Sequence, residues 1–138
     1  MPADLAALPL VAILRGVTPE RVVEIARALF DAGMRAFEVP LNSPEPFVSM
    51  RALTASLGAH CLCGAGTVLG VEDVRRVREA GGNLIVSPNV NPAVIAAARG
   101  LTVMPGFATA SEAFAAIDAR ATHLKLFPAS TYGAGHIK

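Results

Sequence analysis

The chain has 138 residues, of which 53% are hydrophobic and 17% charged, and its net charge is +1. This length fits one domain or less, and the composition supports a buried core and argues against disorder. A net charge near zero gives no electrostatic reason to expect binding to nucleic acid or to an anionic membrane surface. No apolar run approaches the ~20 residues that a membrane-spanning helix needs.

Two further features predict a cytoplasmic protein without a metal site. The first five residues lack the basic start and the long apolar stretch of a signal peptide. Cys61 and Cys63 lie one residue apart on the same face of a predicted strand, which does not suit a disulfide. We therefore expect them to be small core residues in a reducing compartment. Of the other metal-ligating residue types, only His60 stands nearby, so the sequence predicts no metal centre here.

The chain begins with a predicted strand and helix. Residues 10–14 form a continuous apolar run, typical of a strand buried on both faces. Thr18, Pro19 and Glu20 then supply an N-cap, a first-turn proline and an acidic residue near the helix N-terminus. Apolar residues recur at helical spacing up to Gly33, where the helix is predicted to end.

The same strand–helix pattern recurs along the rest of the chain. Strands are predicted to start near residues 10, 36, 61, 84, 102 and 123, and residues 132–138 look like the entry to a sixth helix. Helices are predicted to start at residues 42–45, at Asn91-Pro92 and at a capping box over residues 109–112. Such spacing predicts right-handed βαβ crossovers and a parallel sheet.

Both a doubly wound sheet and a closed barrel contain such units. In a doubly wound sheet only the loops at the switch point form the site. Here every predicted strand ends with a residue that could serve a site: Arg15, Glu38, Thr67, Asn89, Phe107 and Lys125. This favours a (β/α)8 TIM-barrel-type fold of the α/β class. Because six units are present, we predict a single barrel domain over residues 1–138 that is C-terminally incomplete.

Lys125 is the first candidate catalytic residue. Residues 123–127 read as a short buried strand closed by Pro128, and Lys125 is one of only two lysines in the chain. An amine among apolar residues loses hydration, which lowers its pKa and leaves a lone pair free to attack a carbonyl carbon. The alternative is a lysine whose stem packs while its ammonium group reaches water.

Glu38 is the second candidate. It stands between Phe37 and Val39 in a predicted strand, so alternation turns its side chain away from the apolar outer face. A carboxylate there is costly unless it is paired or functional. It could be a general base with a pKa raised by burial, or a structural ion-pair partner of Lys125 or Arg15.

The remaining candidates would bind substrate. Residues 64–67, Gly-Ala-Gly-Thr, let a ligand approach the backbone, although they form neither a P-loop nor a dinucleotide fingerprint. Thr67 could hold a substrate carboxylate or cap the following turn. Arg15 could clamp a substrate oxygen or be a surface charge. The three histidines are interpreted as structural, with His123 on the face of Lys125.

Six segments together resemble the class I aldolases of the 2-keto-3-deoxy-6-phosphogluconate type. They are Ile13-Leu14-Arg15-Gly16, Glu38-Val39-Pro40-Leu41-Asn42-Ser43-Pro44, Gly64-Ala65-Gly66-Thr67-Val68, Ser87-Pro88-Asn89, Met104-Pro105-Gly106 and Leu124-Lys125-Leu126-Phe127-Pro128. The resemblance covers nearly the whole chain, and the first two segments are more similar to the 6-phosphogalactonate branch.

The resemblance implies a lyase of galactonate degradation that cleaves 2-dehydro-3-deoxy-6-phosphogalactonate to pyruvate and D-glyceraldehyde 3-phosphate. It implies Lys125 as the Schiff-base lysine, Glu38 as the proton-shuttling carboxylate, and Arg15 and Thr67 as substrate-binding residues. It also implies a homotrimer and no cofactor or metal, since the iminium is the electron sink. Neither nucleic acid nor a membrane is an expected partner.

Several alternatives remain open at the level of sequence. In the family, strands seven and eight carry the phosphate-binding loops and the residue that separates the C4 epimers, and Lys138 precedes both. The substrate could therefore be 2-dehydro-3-deoxy-6-phosphogluconate or 4-hydroxy-2-oxoglutarate. The chain could also be an isomerase or epimerase with Lys125 acting only as a charge, or an inactive fragment or binding module.

Overall fold

The computed structural model describes residues 5–6 and 8–137. The described strands are β1 (Ala12–Ile13), β2 (Ala36–Pro40), β3 (Leu62–Gly66), β4 (Leu84–Val86), β5 (Thr102–Met104), β6 (Gly106–Phe107) and β7 (Lys125–Leu126). The described helices are α1 (Pro19–Asp31), α2 (Pro46–Leu57), α3 (Val71–Glu79), α4 (Pro92–Ala97), α5 (Ala110–Asp118) and α6 (Ala129–Tyr132), followed by a 3₁₀ turn at Ala134–Ile137.

The described strands form two parallel sheets, and in each the strands follow the order of the sequence. β1 to β5 pair successively, and β6 pairs in parallel with β7. The two sheets are continuous through the backbone, because the N–H of Lys125 donates to the oxygen of Pro105 at 3.0 Å and that of His123 donates to Val103 at 3.0 Å. The predicted α/β class with a parallel sheet is therefore confirmed.

Strand alternation separates a helix-facing layer from an inner layer. Phe37 and Val39 of β2 pack with Val22 of α1 and Leu53 of α2 in one buried cluster. Cys61 and Cys63 join this cluster, as expected for small core residues. Glu38 lies between Phe37 and Val39 and therefore turns to the inner side of the sheet.

Two strands differ from the prediction of fully buried segments. β1 covers Ala12–Ile13 rather than residues 10–14, and Ile13 is 51% exposed. β7 covers Lys125–Leu126 rather than residues 123–127, and Leu124 is 37% exposed. Among the described residues each of these strands pairs on one side only, so its other edge has no partner strand. An apolar run in the sequence indicates that a strand belongs to a core, but it does not show whether other strands flank it on both sides.

The helix starts were predicted with mixed success. The capping box is confirmed: Thr109 and Glu112 exchange side-chain and backbone hydrogen bonds at the start of α5. Oδ1 of Asn91 accepts from the N–H of Ala93 at 3.1 Å at the start of α4. Thr18 occupies the N-cap of α1, but its side chain makes no capping bond. The second helix begins at Pro46 rather than within residues 42–45. No helix in the described part of the chain is long and apolar enough to cross a membrane.

Candidate active site

Glu38 and Lys125 border the same cavity on the inner side of the sheet. The cavity measures about 270 Å³, and its other lining residues are apolar: Val11, Ile13, Val86, Met104 and Leu124. Glu38 comes from the middle of β2, and Lys125 from the start of β7. The fold therefore brings together the two residues that the sequence singled out for chemistry, although they lie 87 positions apart along the chain.

The Glu38 side chain is buried without a compensating hydrogen bond at one oxygen. The residue is only 3% exposed, and its Oε2 has no hydrogen-bond partner among the residues that the structure describes. Burial raises the pKa of the Glu38 carboxyl, while the positive charges of Lys125 and Arg15 act in the opposite direction and do not cancel the effect. Within the described residues Glu38 makes no ion pair at 4.0 Å or less. A buried carboxyl with a raised pKa suits proton transfer.

Lys125 is held by its strand and by an aromatic ring. Its backbone N–H donates to Pro105, and its Nζ lies 5.0 Å from the centroid of the Phe127 ring. A cation within about 6 Å of a ring face is attracted by the ring quadrupole. Phe127 lies two positions after Lys125, so strand alternation predicts both side chains on one face, and the contact agrees with this. The Phe127 ring therefore restricts the positions that the Lys125 amine can occupy.

Thr67 borders a second hollow rather than the cavity of Glu38 and Lys125. This hollow of about 310 Å³ lies at the C-terminal ends of β2 and β3, where Asn42 and Phe47 also line it. The backbone of Thr67 has φ +58°, in the left-handed region that β-branched residues rarely occupy. Backbone strain of this kind is found preferentially at functional sites.

Arg15 is joined to the same hollow through Asn42. Its Nη1 donates a hydrogen bond of 3.1 Å to Oδ1 of Asn42, and the N–H of the adjoining Gly16 donates one of 3.0 Å to Oγ of Ser43. The four candidates thus form two neighbouring groups, with Glu38 and Lys125 inside the sheet and Arg15 and Thr67 at its rim.

Sequence reasoning missed three residues that shape these groups. Asn42 and Ser43 were taken as part of a helix start, but they hold the loop that follows β1. Gly66 was interpreted only as a residue that lets a ligand approach the backbone, whereas it lies directly beside the Glu38 carboxyl. Asn42 and Ser43 could have been found, because they are polar residues immediately after a strand end. Nothing in the sequence around Gly66 indicates its role, because that role depends on the Glu38 side chain in the neighbouring strand.

The histidines lie apart from the two groups or at their edge. A ring nitrogen of His136 is 2.7 Å from the oxygen of Ala108, and Nδ1 of His123 is 3.0 Å from Oγ1 of Thr122. Partial burial lowers the pKa of His123. Among the described residues no group of three or more His, Cys, Asp or Glu side chains is arranged to hold a metal ion.

A parallel sheet with intervening helices, carrying a lysine and a buried carboxylate in one inner cavity, defines a TIM-barrel-type α/β protein with an interior amine–acid site. The chain belongs to the KDPG and KHG aldolase family, whose model matches residues 2–138.

Relatives with assigned names support this membership. The chain is 51% identical over 127 residues to a probable 2-dehydro-3-deoxy-6-phosphogalactonate aldolase of Rhizobium meliloti, a match that covers 91% of this chain and 60% of the relative. It is 48% identical over 133 residues to the 2-dehydro-3-deoxy-6-phosphogalactonate aldolase of Escherichia coli, covering 95% and 65%. The chain thus spans 60 to 65% of the length of these relatives. Both relatives bear aldolase names, and aldolases are lyases.

Solved structures agree with the fold. A structure described as native KDPGal is 48% identical, with a TM-score of 0.92 over 94% of this chain and 64% of that one. A KDPG aldolase from Legionella pneumophila, with pyruvate captured as a covalent carbinolamine, is 28% identical, with a TM-score of 0.87 over 98% and 66%. The prediction of a barrel-type α/β fold is confirmed by these matches.

Proposed function

We propose that this chain carries the Schiff-base site of a class I aldolase that cleaves 2-dehydro-3-deoxy-6-phosphogalactonate to pyruvate and D-glyceraldehyde 3-phosphate. The observation that carries the proposal is the shared cavity of Glu38 and Lys125. Relatives at 48 to 51% identity bear the name of this activity, which supports the galactonate substrate. The carbinolamine in the Legionella structure supports covalent chemistry on pyruvate in the family.

The reaction begins with Lys125. Its Nζ attacks the C2 ketone to give a carbinolamine, and loss of water gives an iminium. The proton of the C4 hydroxyl is then removed, the C3–C4 bond breaks, and its electron pair moves into the iminium to form an enamine. The C4–C6 fragment leaves as the aldehyde. Protonation of C3 and hydrolysis of the iminium release pyruvate and restore the amine.

Glu38 would move the protons in this sequence. A carboxyl whose pKa is raised by burial can give a proton to the departing carbinolamine oxygen and then accept one from the C4 hydroxyl. The lining residues other than Glu38 and Lys125 are apolar, so they offer no competing acid or base near the imine.

Arg15 and Thr67 would bind the substrate at the rim. The guanidinium group suits an oxygen of the substrate, and the Thr67 hydroxyl with neighbouring backbone N–H groups suits its carboxylate. Residues 1–138 would form the first six units of the barrel, which we further propose to be a cytoplasmic homotrimer. Phosphate binding and the choice of C4 epimer are not assigned to any described residue.

The test is reduction with borohydride in the presence of pyruvate, followed by peptide mapping, together with cleavage assays on the galactonate and gluconate substrates. We expect a reduced pyruvate adduct at Lys125 and faster cleavage of the galactonate compound. Cleavage that favours the gluconate compound or 4-hydroxy-2-oxoglutarate would change the substrate and leave the mechanism standing. Absence of any adduct would overturn the mechanism and favour an isomerase, an epimerase or an inactive binding module.

A further inference from the structure

Gly66 is the residue that lies against the Glu38 carboxyl. It ends β3, opposite Pro40 of β2, and its carbonyl oxygen accepts a hydrogen bond of 2.9 Å from the N–H of Leu41. A Cβ atom at this position would stand 2.6 Å from Oε2, 2.8 Å from Cδ and 3.0 Å from Oε1 of Glu38. Non-bonded carbon contacts are favourable near 3.5 to 4.0 Å, so even a methyl group cannot share this space with the carboxyl.

The backbone does not require glycine at this position. Gly66 is not among the residues with positive φ, whereas Gly16 and Gly33 are. The nearest atoms to a Cβ at Gly66 all belong to one side chain, that of Glu38. Gly64 differs, because a Cβ there would collide with the backbone of Leu84 in the neighbouring strand. The absence of a side chain at Gly64 therefore allows β3 and β4 to pair closely. The absence of a side chain at Gly66 leaves room for the Glu38 carboxyl.

No hydrogen bond from the described residues holds Oε2 of the Glu38 carboxyl in place, so the space around the carboxyl must do so. Its Oε2 is buried and has no hydrogen-bond partner in the described part of the chain, so no donor there fixes this oxygen. Its location is instead set by the space available between β2 and β3. The carboxyl also borders the cavity of Lys125, so filling the space at Gly66 would displace it toward that cavity.

We propose that Gly66 is a positioning residue that keeps open the space in which the Glu38 carboxyl sits, and so fixes the proton-transfer group relative to Lys125. This inference rests on the proposed function, in which Glu38 serves the imine at Lys125. Gly66 makes no contact with the substrate or the reacting atoms in the proposed reaction, and it acts only through Glu38.

The test compares Gly66→Ala with Gly135→Ala as a matched control. A Cβ at Gly135 meets no atom within 4 Å, and its φ is outside the left-handed region, so this variant is expected to behave as the parent protein. Gly66→Ala should still form the reducible pyruvate adduct at Lys125, while cleavage slows by ~10- to 100-fold, as a displacement of about 1 Å can cause. In a Glu38→Ala background, which makes room for the methyl group, Gly66→Ala should cause no further loss and no change in thermal unfolding.

Two readouts do not depend on turnover. The pKa of the Glu38 carboxyl, followed by ¹³C NMR and assigned with Glu38→Gln, should fall in Gly66→Ala because the displaced group is less buried. Thermal unfolding should show that Gly66→Ala destabilises the protein only when Glu38 is present. An unchanged titration of Glu38, or an equal destabilisation in both backgrounds, would overturn the positioning role. If the parent protein forms no adduct with pyruvate, the proposed function fails, whereas the titration and unfolding still decide the role of Gly66.

Discussion

Nη1 of Arg15 donates a hydrogen bond of 3.1 Å to Oδ1 of Asn42, across the gap between the loops that follow β1 and β2. A second bond, from the N–H of Gly16 to Oγ of Ser43 at 3.0 Å, runs parallel to it. These two hydrogen bonds join the two loops, and the bond to Asn42 orients the guanidinium group of Arg15.

Asn42→Ala should raise KM for the phosphorylated substrate about fivefold, with little change in kcat. One hydrogen bond to an exposed charged group contributes about 1 kcal/mol, and the bond orients a binding group rather than a reacting one. Steady-state kinetics give both constants. Ser56→Ala is the matched control, since it removes an equally exposed bond of 3.1 Å from Arg27, away from the rim. Equal KM values for the parent and Asn42→Ala would show that the tether is unimportant for binding.

Lys125→Ala should abolish the reducible pyruvate adduct and aldol cleavage while leaving the fold intact, because the amine is the nucleophile and the side chain is only half-buried. Lys138→Ala is the natural control, since Lys138 is the only other lysine in the sequence. Peptide mapping after reduction, with circular dichroism for the fold, makes the comparison. Cleavage that persists above a trace without Lys125 would rule out the Schiff-base mechanism.

Glu38→Gln should slow turnover by ~10²- to 10⁴-fold, the range for loss of a general acid–base group, with a much smaller effect on pyruvate binding. It should also make the protein more stable at neutral pH, because it removes a charge that burial disfavours. Kinetics and thermal unfolding measure the two effects. Weak binding with an unchanged chemical step would instead make Glu38 a structural partner.

The pH dependence of stability follows from the raised pKa of Glu38. When the folded-state pKa lies above the unfolded one, the folded chain holds more protons between the two values, so the free energy of unfolding falls as pH rises through that range. The stability advantage of Glu38→Gln should therefore grow between the unfolded-state and folded-state pKa values, be fully present above the folded-state pKa, and shrink to a constant difference in acid. Unfolding curves from pH 4 to pH 8 test this; an advantage that is largest in acid has the wrong sign.

The order of the elements and the placement of Glu38 and Lys125 on the inner side of the sheet could be predicted, because both follow from periodicity and the parallel sheet. Strand alternation correctly placed Glu38 on the face opposite to Phe37 and Val39. The barrel hypothesis treated Glu38 as a strand-end residue, whereas it lies in the middle of β2. The exposure of Ile13 could not be predicted, because a strand's apolar residues are the same whether one or two neighbours flank it.

The finer geometry of the site depends on facts that local sequence does not contain. Thr67 looked like a substrate-binding residue, and nothing in its neighbours indicates a φ of +58°. Gly66 matters because of a carboxyl 28 positions earlier in the sequence. Contacts between distant residues set by strand register, rather than propensities of single segments, decide such details.

A polypeptide of residues 1–138 alone should self-associate in solution. Within the described residues β1 and β7 each pair on one side only, and the unpaired N–H and C=O groups of such edges template association. Exposed apolar side chains add to this: Ile13 and Leu124 lie beside the open edges, while Phe114 and Ile117 lie on α5.

Light scattering over a range of concentrations measures the association, and one double variant separates its two sources. Phe114→Glu with Ile117→Glu adds charge to α5 and leaves the strands untouched, so association through strand edges should persist in it. Association that disappears in this variant would assign it to the helix face instead. A monomeric species of 14.2 kDa that unfolds cooperatively at every concentration would contradict both sources, and would mean that the open edges are satisfied within one chain.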